Sequence, residues 1–173
     1  AVEELTDLIE PEWVPTESAL QVKADGTITE TLIEHLDQSY YDAEELERMI
    51  KVTVSEYREA HGGDTLRIDD LLIENGAVRL VMTYQTASDY AAYNNVRFYN
   101  GSMLGAEMEG FLFYNQFHQV EDGLITSADL SNEEALKHKE YQVLVTENCN
   151  LVEVPGKAVY ISANAVPDQE EEQ

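Results

Sequence analysis

The chain has 173 residues, with 35 acidic against 10 basic side chains, a formal net charge of -25 and a pI near 4.1. So strong a negative field argues against nucleic acid or anionic membrane surfaces as direct partners, because both are repelled. Hydrophobic residues make up 43% of the chain, enough for a core, and no apolar run approaches the roughly 18 residues of a membrane-spanning helix.

The chain starts at Ala1 rather than Met and reads as a processed chain. Residues 1–19 hold six acids, no base, and Pro11 and Pro15, the composition of a solvated acidic N-terminal tether. Trp13 and Val14 stand out in it as apolar residues able to dock on the domain. Residues 20–163 read as a single α+β domain, and 164–173 as an acidic C-terminal tail.

Within the domain, Leu20 to Ala24 alternates, Asp25-Gly26 supplies a turn, and Thr27 to Leu32 returns with β-branched residues, which predicts a hairpin. Asp42, with Glu45 in the capping-box position, opens a helix over 43–60. Leu46, Met49, Ile50, Thr53, Val54 and Tyr57 recur along one stripe of it. Glu44/Arg48 and Glu47/Lys51 make i,i+4 pairs on the opposite side, and Gly62-Gly63 ends the helix. A second hairpin runs from Leu66 to Tyr84 around Asn75-Gly76, and Thr86 with Asp89 caps a short helix through Tyr93.

Val96 to Tyr99 is predicted as strand, Asn100-Gly101 as a turn, and 101–110 as too glycine-rich for helix. Phe111 to Val120 and Leu124-Ile125 read as strands, and Ser131 with Glu134 opens a brief helix closed by Lys137, His138 and Lys139. Strands follow at 141–146, 151–154 and 157–162, with a Pro155-Gly156 turn. The fold class expected is α+β, a mainly antiparallel sheet built from β-hairpins and packed by one long helix and short helices.

Chemistry is less legible. Asp25-Gly26-Thr27-Ile28 lacks the oxygen ligands of a calcium loop, since Gln21, Lys23 and Leu32 hold the positions that need them. The four histidines, His35, His61, His118 and His138, have no zinc-helix spacing, and Cys149 stands alone among acidic and amide neighbours that disfavour a thiolate. No nucleophile elbow and no phosphate loop occurs. Catalytic residues, metal ligands and cofactors are therefore assigned to none. Paired carboxylates such as Asp69-Asp70 and Glu107/Glu109 arise easily among 35 acids, and they suggest a glycosidase only when they face each other across a cleft.

Nine of the fifteen aromatics fall between Tyr84 and Phe117. Tyrosine combines an apolar face with a polar tip, which suits a wet groove for a sugar or a peptide, while the plain alternative is that these rings cover the core. Tyr84, Tyr90, Tyr93, Tyr99 and Tyr114 are the candidate ligand-binding residues.

The run from Asp25-Gly26-Thr27-Ile28-Thr29-Glu30 through Tyr40-Tyr41-Asp42 and Glu45-Leu46, with the second hairpin and Ser88-Asp89-Tyr90-Ala91, resembles predicted surface lipoproteins of anaerobic Gram-positive bacteria. The resemblance covers residues 20–95. It implies a signal sequence and a lipid-modified cysteine upstream of Ala1, an extracytoplasmic place in the cell envelope on the outer face of the membrane, and contact with the membrane only through that anchor. It brings no activity and no functional residue. The expectation is a lipid-anchored domain binding a sugar, peptide or protein ligand without catalysis. The alternatives are a carboxylate-dependent hydrolase acting on polysaccharide or cell wall, and a calcium-dependent adhesion module.

Overall fold

Val78, Leu80, Met82 and Tyr84 alternate along one strand with half-exposed neighbours, and all four are buried. Side chains of a strand point to opposite faces in turn, so this alternation decides which face of the sheet becomes core. The computed structural model describes residues 15–36, 42–111, 113, 117–130, 132–147 and 151–162. In chain order the elements are β1 (Ala19–Val22), β2 (Ile28–His35), α1 (Ala43–His61), β3 (Leu66–Glu74), β4 (Ala77–Tyr84), α2 (Ala87–Asn94) and β5 (Phe98–Ser102). There follow α3 (Met103–Met108), β6 (Phe117–Glu121), β7 (Leu124–Leu130), α4 (Asn132–Leu136), β8 (Gln142–Thr146), β9 (Leu151–Glu153) and β10 (Tyr160–Ser162).

The fold is α+β with mainly antiparallel sheets. Five strands run in the order β3-β4-β2-β1-β9, three in the order β10-β6-β7, and β5 pairs with β8. Among the described pairings only β1 with β9 is parallel. Register across the large sheet places Leu20, Val22, Ile28, Leu32, Leu80, Met82, Tyr84 and Leu66 on one face, the face that forms the core. Val54, Ile50 and Tyr57 of α1 pack there, as do Tyr90 of α2 and Phe98 of β5.

The apolar residues of β3 change parity, Leu66 and Ile68 before Asp69-Asp70 and Leu71 and Ile73 after it. A regular strand would turn one of these pairs outward. A bulge between Ile68 and Asp70 absorbs the extra residue and keeps both pairs inward. Asp69, left at the bulge, is held by the Arg67 guanidinium and the Thr83 hydroxyl. The turn that closes this hairpin has the expected chemistry, with Asn75 at φ 51° and Gly76 at φ 73°.

Helix α1 starts where the sequence places it. The Asp42 carboxylate accepts hydrogen bonds from the backbone N–H groups of Glu44 (2.9 Å) and Glu45 (3.4 Å). The Gly62 N–H donates to the Arg58 carbonyl at the other end (2.8 Å). Its buried stripe is narrower than the spacing suggests: Val54 is buried and Ile50 and Tyr57 pack on the core, while Met49 is 56% exposed. Lys51 pairs with Glu47 as expected, but Arg48 turns to Glu45 one residue nearer than Glu44.

The region after α2 departs most from expectation. Asn100-Gly101 lies inside β5, opposite Leu144 and Val143, and 103–108 is helical despite its glycine. Tyr99 explains both. Its hydroxyl donates to the Ser102 carbonyl (2.8 Å), and a Cβ at Gly101 or Gly105 would collide with that ring. Gly105 thus makes room for Tyr99, and the Ser102 hydroxyl caps the short helix by accepting from the Gly105 N–H (3.0 Å). Of the strand expected over 111–120, β6 holds Phe117–Glu121 and residues 112 and 114–116 lie outside the described residues; an Asp122-Gly123 turn with φ of 50° and 76° leads into β7, which runs on to Leu130. The strand expected from Lys157 begins at Tyr160, and the expected 151–154 strand is the parallel partner of β1.

Replacing Ile28 by alanine should cost about 2–4 kcal/mol of stability in urea denaturation, since its side chain is enclosed, whereas Met108→Ala, at an 81% exposed position, should be near neutral. Asp42→Ala should cost about 1 kcal/mol through the lost helix cap.

Candidate functional site

Alternation along β2 puts Glu30 between Ile28 and Leu32, on the face that points into the core. It is 4% exposed, and a carboxyl so placed must find hydrogen-bond donors. Tyr84 of β4 donates its hydroxyl to the Glu30 Oε1 (2.9 Å), and the Tyr90 hydroxyl of α2 also bonds Glu30. Asn94, at the end of α2, donates to the Tyr84 hydroxyl (3.2 Å) and to the Tyr90 carbonyl (3.0 Å). Burial raises the Glu30 carboxyl above the usual range, against the opposing pull of the two tyrosines. Burial and the nearby Glu30 charge likewise raise the Tyr84 phenol.

The rings continue from this network to the surface. Tyr84 meets Tyr90 edge-on at 5.1 Å between centroids, and Tyr93 lies 5.9 Å from Tyr84. Tyr93 in turn meets Tyr57 of α1 edge-on at 5.5 Å, and His61 stacks on Tyr57 at 4.0 Å. Hydrogen bonds lock this seam between α1 and α2: Tyr57 donates to the Asp89 Oδ1 (2.9 Å), and the Tyr93 and Thr53 hydroxyls are 3.0 Å apart. Desolvation, then the Asp89 hydrogen bond and charge, push the Tyr57 phenol up to about 12. Thr53 and His61 are exposed and Tyr57, Tyr93 and Asp89 half-buried, so the seam is open to solvent where the interior network is not.

The five tyrosines singled out by the sequence therefore separate. Tyr84 and Tyr90 are 0% and 1% exposed and touch Glu30 rather than solvent. Tyr93 belongs to the surface seam. Tyr99 sits over Gly101 and Gly105 with its ring 5.5 Å from Phe111, on which the Arg97 guanidinium rests. Tyr114 lies outside the described residues, as do Trp13, Val14 and Cys149. Thr53, Tyr57, His61 and Asp89 escape a reading of aromatic density, but Tyr57 and Asp89 each stand at a helical position facing the other helix. Glu30 was visible in principle as an acid at an inward position of an alternating strand.

A further ring group joins His138 to Tyr141, stacked at 4.3 Å, with Tyr160 of β10 5.8 Å from the imidazole. Of the paired carboxylates, Asp69 is engaged by Arg67 and Thr83, and Glu107 by Lys139 (2.5 Å). Among the described residues no group of three or more histidine, cysteine or acidic side chains is arranged to hold a metal, and no helix is long and apolar enough to cross a membrane. No protein-family model, curated protein or solved structure matches the chain.

Glu30 has a pH signature. Its folded pKa lies above the unfolded value near 4.5, so the native state holds the proton more tightly, and this group's contribution declines as pH rises from that value through the folded pKa. The stability difference between Glu30→Gln and the parent chain should therefore move in favour of the variant as pH rises from 4 to about 7. Parallel stability curves in urea across that range would show that Glu30 titrates normally.

Proposed function

We propose that this chain is a binding domain of the cell envelope, held at the outer face of the membrane by a lipid anchor upstream of Ala1, which takes a cationic peptide or protein segment at the α1–α2 seam and carries out no reaction on it. The observation that carries the reading is the open cluster of Tyr57, Tyr93 and His61 beside the Asp89 carboxylate. Tyrosine faces attract ammonium and guanidinium groups, and a carboxylate alongside completes the recognition of a positive charge. The -25 net charge draws cationic partners toward the surface and gives no such advantage to a neutral sugar. The likeness of residues 20–95 to surface lipoproteins supports the location.

In an NMR titration of the labelled chain, lysine- and arginine-rich peptides should perturb Tyr57, Tyr93 and His61, while neutral and acidic peptides should not. Binding should weaken with added salt, and Tyr93→Leu should lower affinity about tenfold. A response confined to cell-wall oligosaccharides, or shifts away from the seam, would sink the assignment of ligand and site. An upstream reading frame without export signal and lipobox would remove the anchor.

A further inference from the structure

His61 is the last residue of α1, directly before Gly62 at φ 125°. Its ring is exposed, yet it lies nearly parallel to Tyr57, with 15° between the planes and 4.0 Å between centroids, and so covers one face of that phenol. Its Nδ1 stands 3.1 Å from the Tyr57 carbonyl. A carbonyl only accepts, so Nδ1 holds the proton of this bond and Nε2 is the nitrogen left to titrate. The covered face is one that a ligand's cation would use, because ammonium and guanidinium groups sit over aromatic faces within about 6 Å of the centroid. Tyr93 meets Tyr57 edge-on and leaves that parallel place to His61.

We propose that His61 is a pH-set cover on the seam: neutral, it yields the Tyr57 face to a cationic side chain, and protonated, it keeps that face and turns the cation away. The cover presupposes the cationic ligand proposed for the seam and adds its regulation. Neutral His61 is held by one stack and one hydrogen bond, and rotation of its own side chain releases both. A proton on Nε2 strengthens every hold. The stack becomes a cation–π contact, and the bond to the carbonyl becomes charge-assisted. The new charge also stands at the C-terminal end of a 19-residue helix, where the macrodipole favours it. The same charge repels an incoming lysine or arginine. Each effect is worth a few-fold, and together they come to about tenfold in ligand affinity.

The charged groups nearby leave the switch to the imidazole. On α1, the Arg58 Nε donates to the Gly63 carbonyl (2.9 Å), and Asp64 is exposed in the turn that follows. From α2, Tyr93 and Asp89 reach the same tyrosine, and the Asp89 carboxylate accepts from the Tyr57 and Thr86 hydroxyls (2.9 Å each). On β3, which packs beneath α1, alternation places Arg67 on the opposite face, paired with Asp69. Histidine is the side chain whose charge ordinarily changes between about pH 5 and 8.

Isothermal titration calorimetry of the full chain with an arginine- and lysine-rich peptide reads the cover, the peptide's termini being blocked so that its charge stays constant. At fixed ionic strength the parent's affinity should fall about tenfold from about pH 7.5 to 5.5. His61→Ala should bind at the higher pH at least as tightly as the parent and lose most of that fall. His61→Lys, charged throughout, should bind at the higher pH about as weakly as the parent does at the lower. Glu30 and the other histidines remain in both variants, so any effect of theirs persists there. The exposed position of His61 should leave the thermal transition of each variant cooperative. An equal fall in His61→Ala overturns the proposal, as does full binding by His61→Lys at the higher pH. So does a loss in His61→Ala as large as that in Tyr93→Leu, which makes the imidazole part of the receptor. A parent that binds equally at both pH values overturns the cover alone. Peptide binding absent at both, in parent and His61→Ala alike, overturns the seam as a cation site and the cover with it.

Discussion

A carboxyl inside a protein core must be surrounded by donors, and Glu30 imposes that condition on three elements at once. It sits on β2, draws the Tyr84 hydroxyl from β4, and draws the Tyr90 hydroxyl from α2. The β2–β4 pairing would exist on apolar alternation alone. The placement of α2 is another matter, because α2 is short and has little apolar surface of its own. Tyr90 and Asn94 tie it to Glu30 and Tyr84, and hydrogen bonds between buried groups fix position more sharply than apolar contact does. Once α2 is held there, Tyr93 and Asp89 necessarily face Tyr57 of α1. The open seam is a consequence of the buried network beneath it.

Charge is arranged differently from polarity. The buried network is closed and specific, while most of the ion pairs are local: Glu47 with Lys51 along α1, Glu134 with Lys137 at the end of α4, and Asp69 with Arg67 at the bulge, with Glu107 to Lys139 the long-range exception among the described residues. Such exposed pairs contribute little to stability and leave most of the acids without a cation. The surplus works at long range instead, as a negative field over the surface. Arg97 rests on the Phe111 ring.

Local signals carried the hairpins and the long helix. Asn75-Gly76 needs positive φ at both residues, Asp42 needs only the next two N–H groups, and neither depends on distant chain. The failures share a cause. Glycine at 101 and 105 reads as turn or breaker until Tyr99 is known to lie over both. The hairpin of β3 and β4 was legible, but the bulge that reconciles the parity change in β3 appears only with the β4 register. The candidate tyrosines were recognised as a group from their density, but density does not say which way a ring points.

By itself the sequence determined the secondary elements with strong short-range chemistry, the α+β class, and the anionic character of the surface, because turn geometry, periodicity and net charge are sums over neighbours in the chain. Only the tertiary structure decided that Tyr84 and Tyr90 serve a buried acid while Tyr93 joins Tyr57 and Asp89 in the open, and that β9 runs parallel to β1. Each of these joins residues far apart in the chain, and such contacts come from strand register and helix docking, which no local pattern encodes.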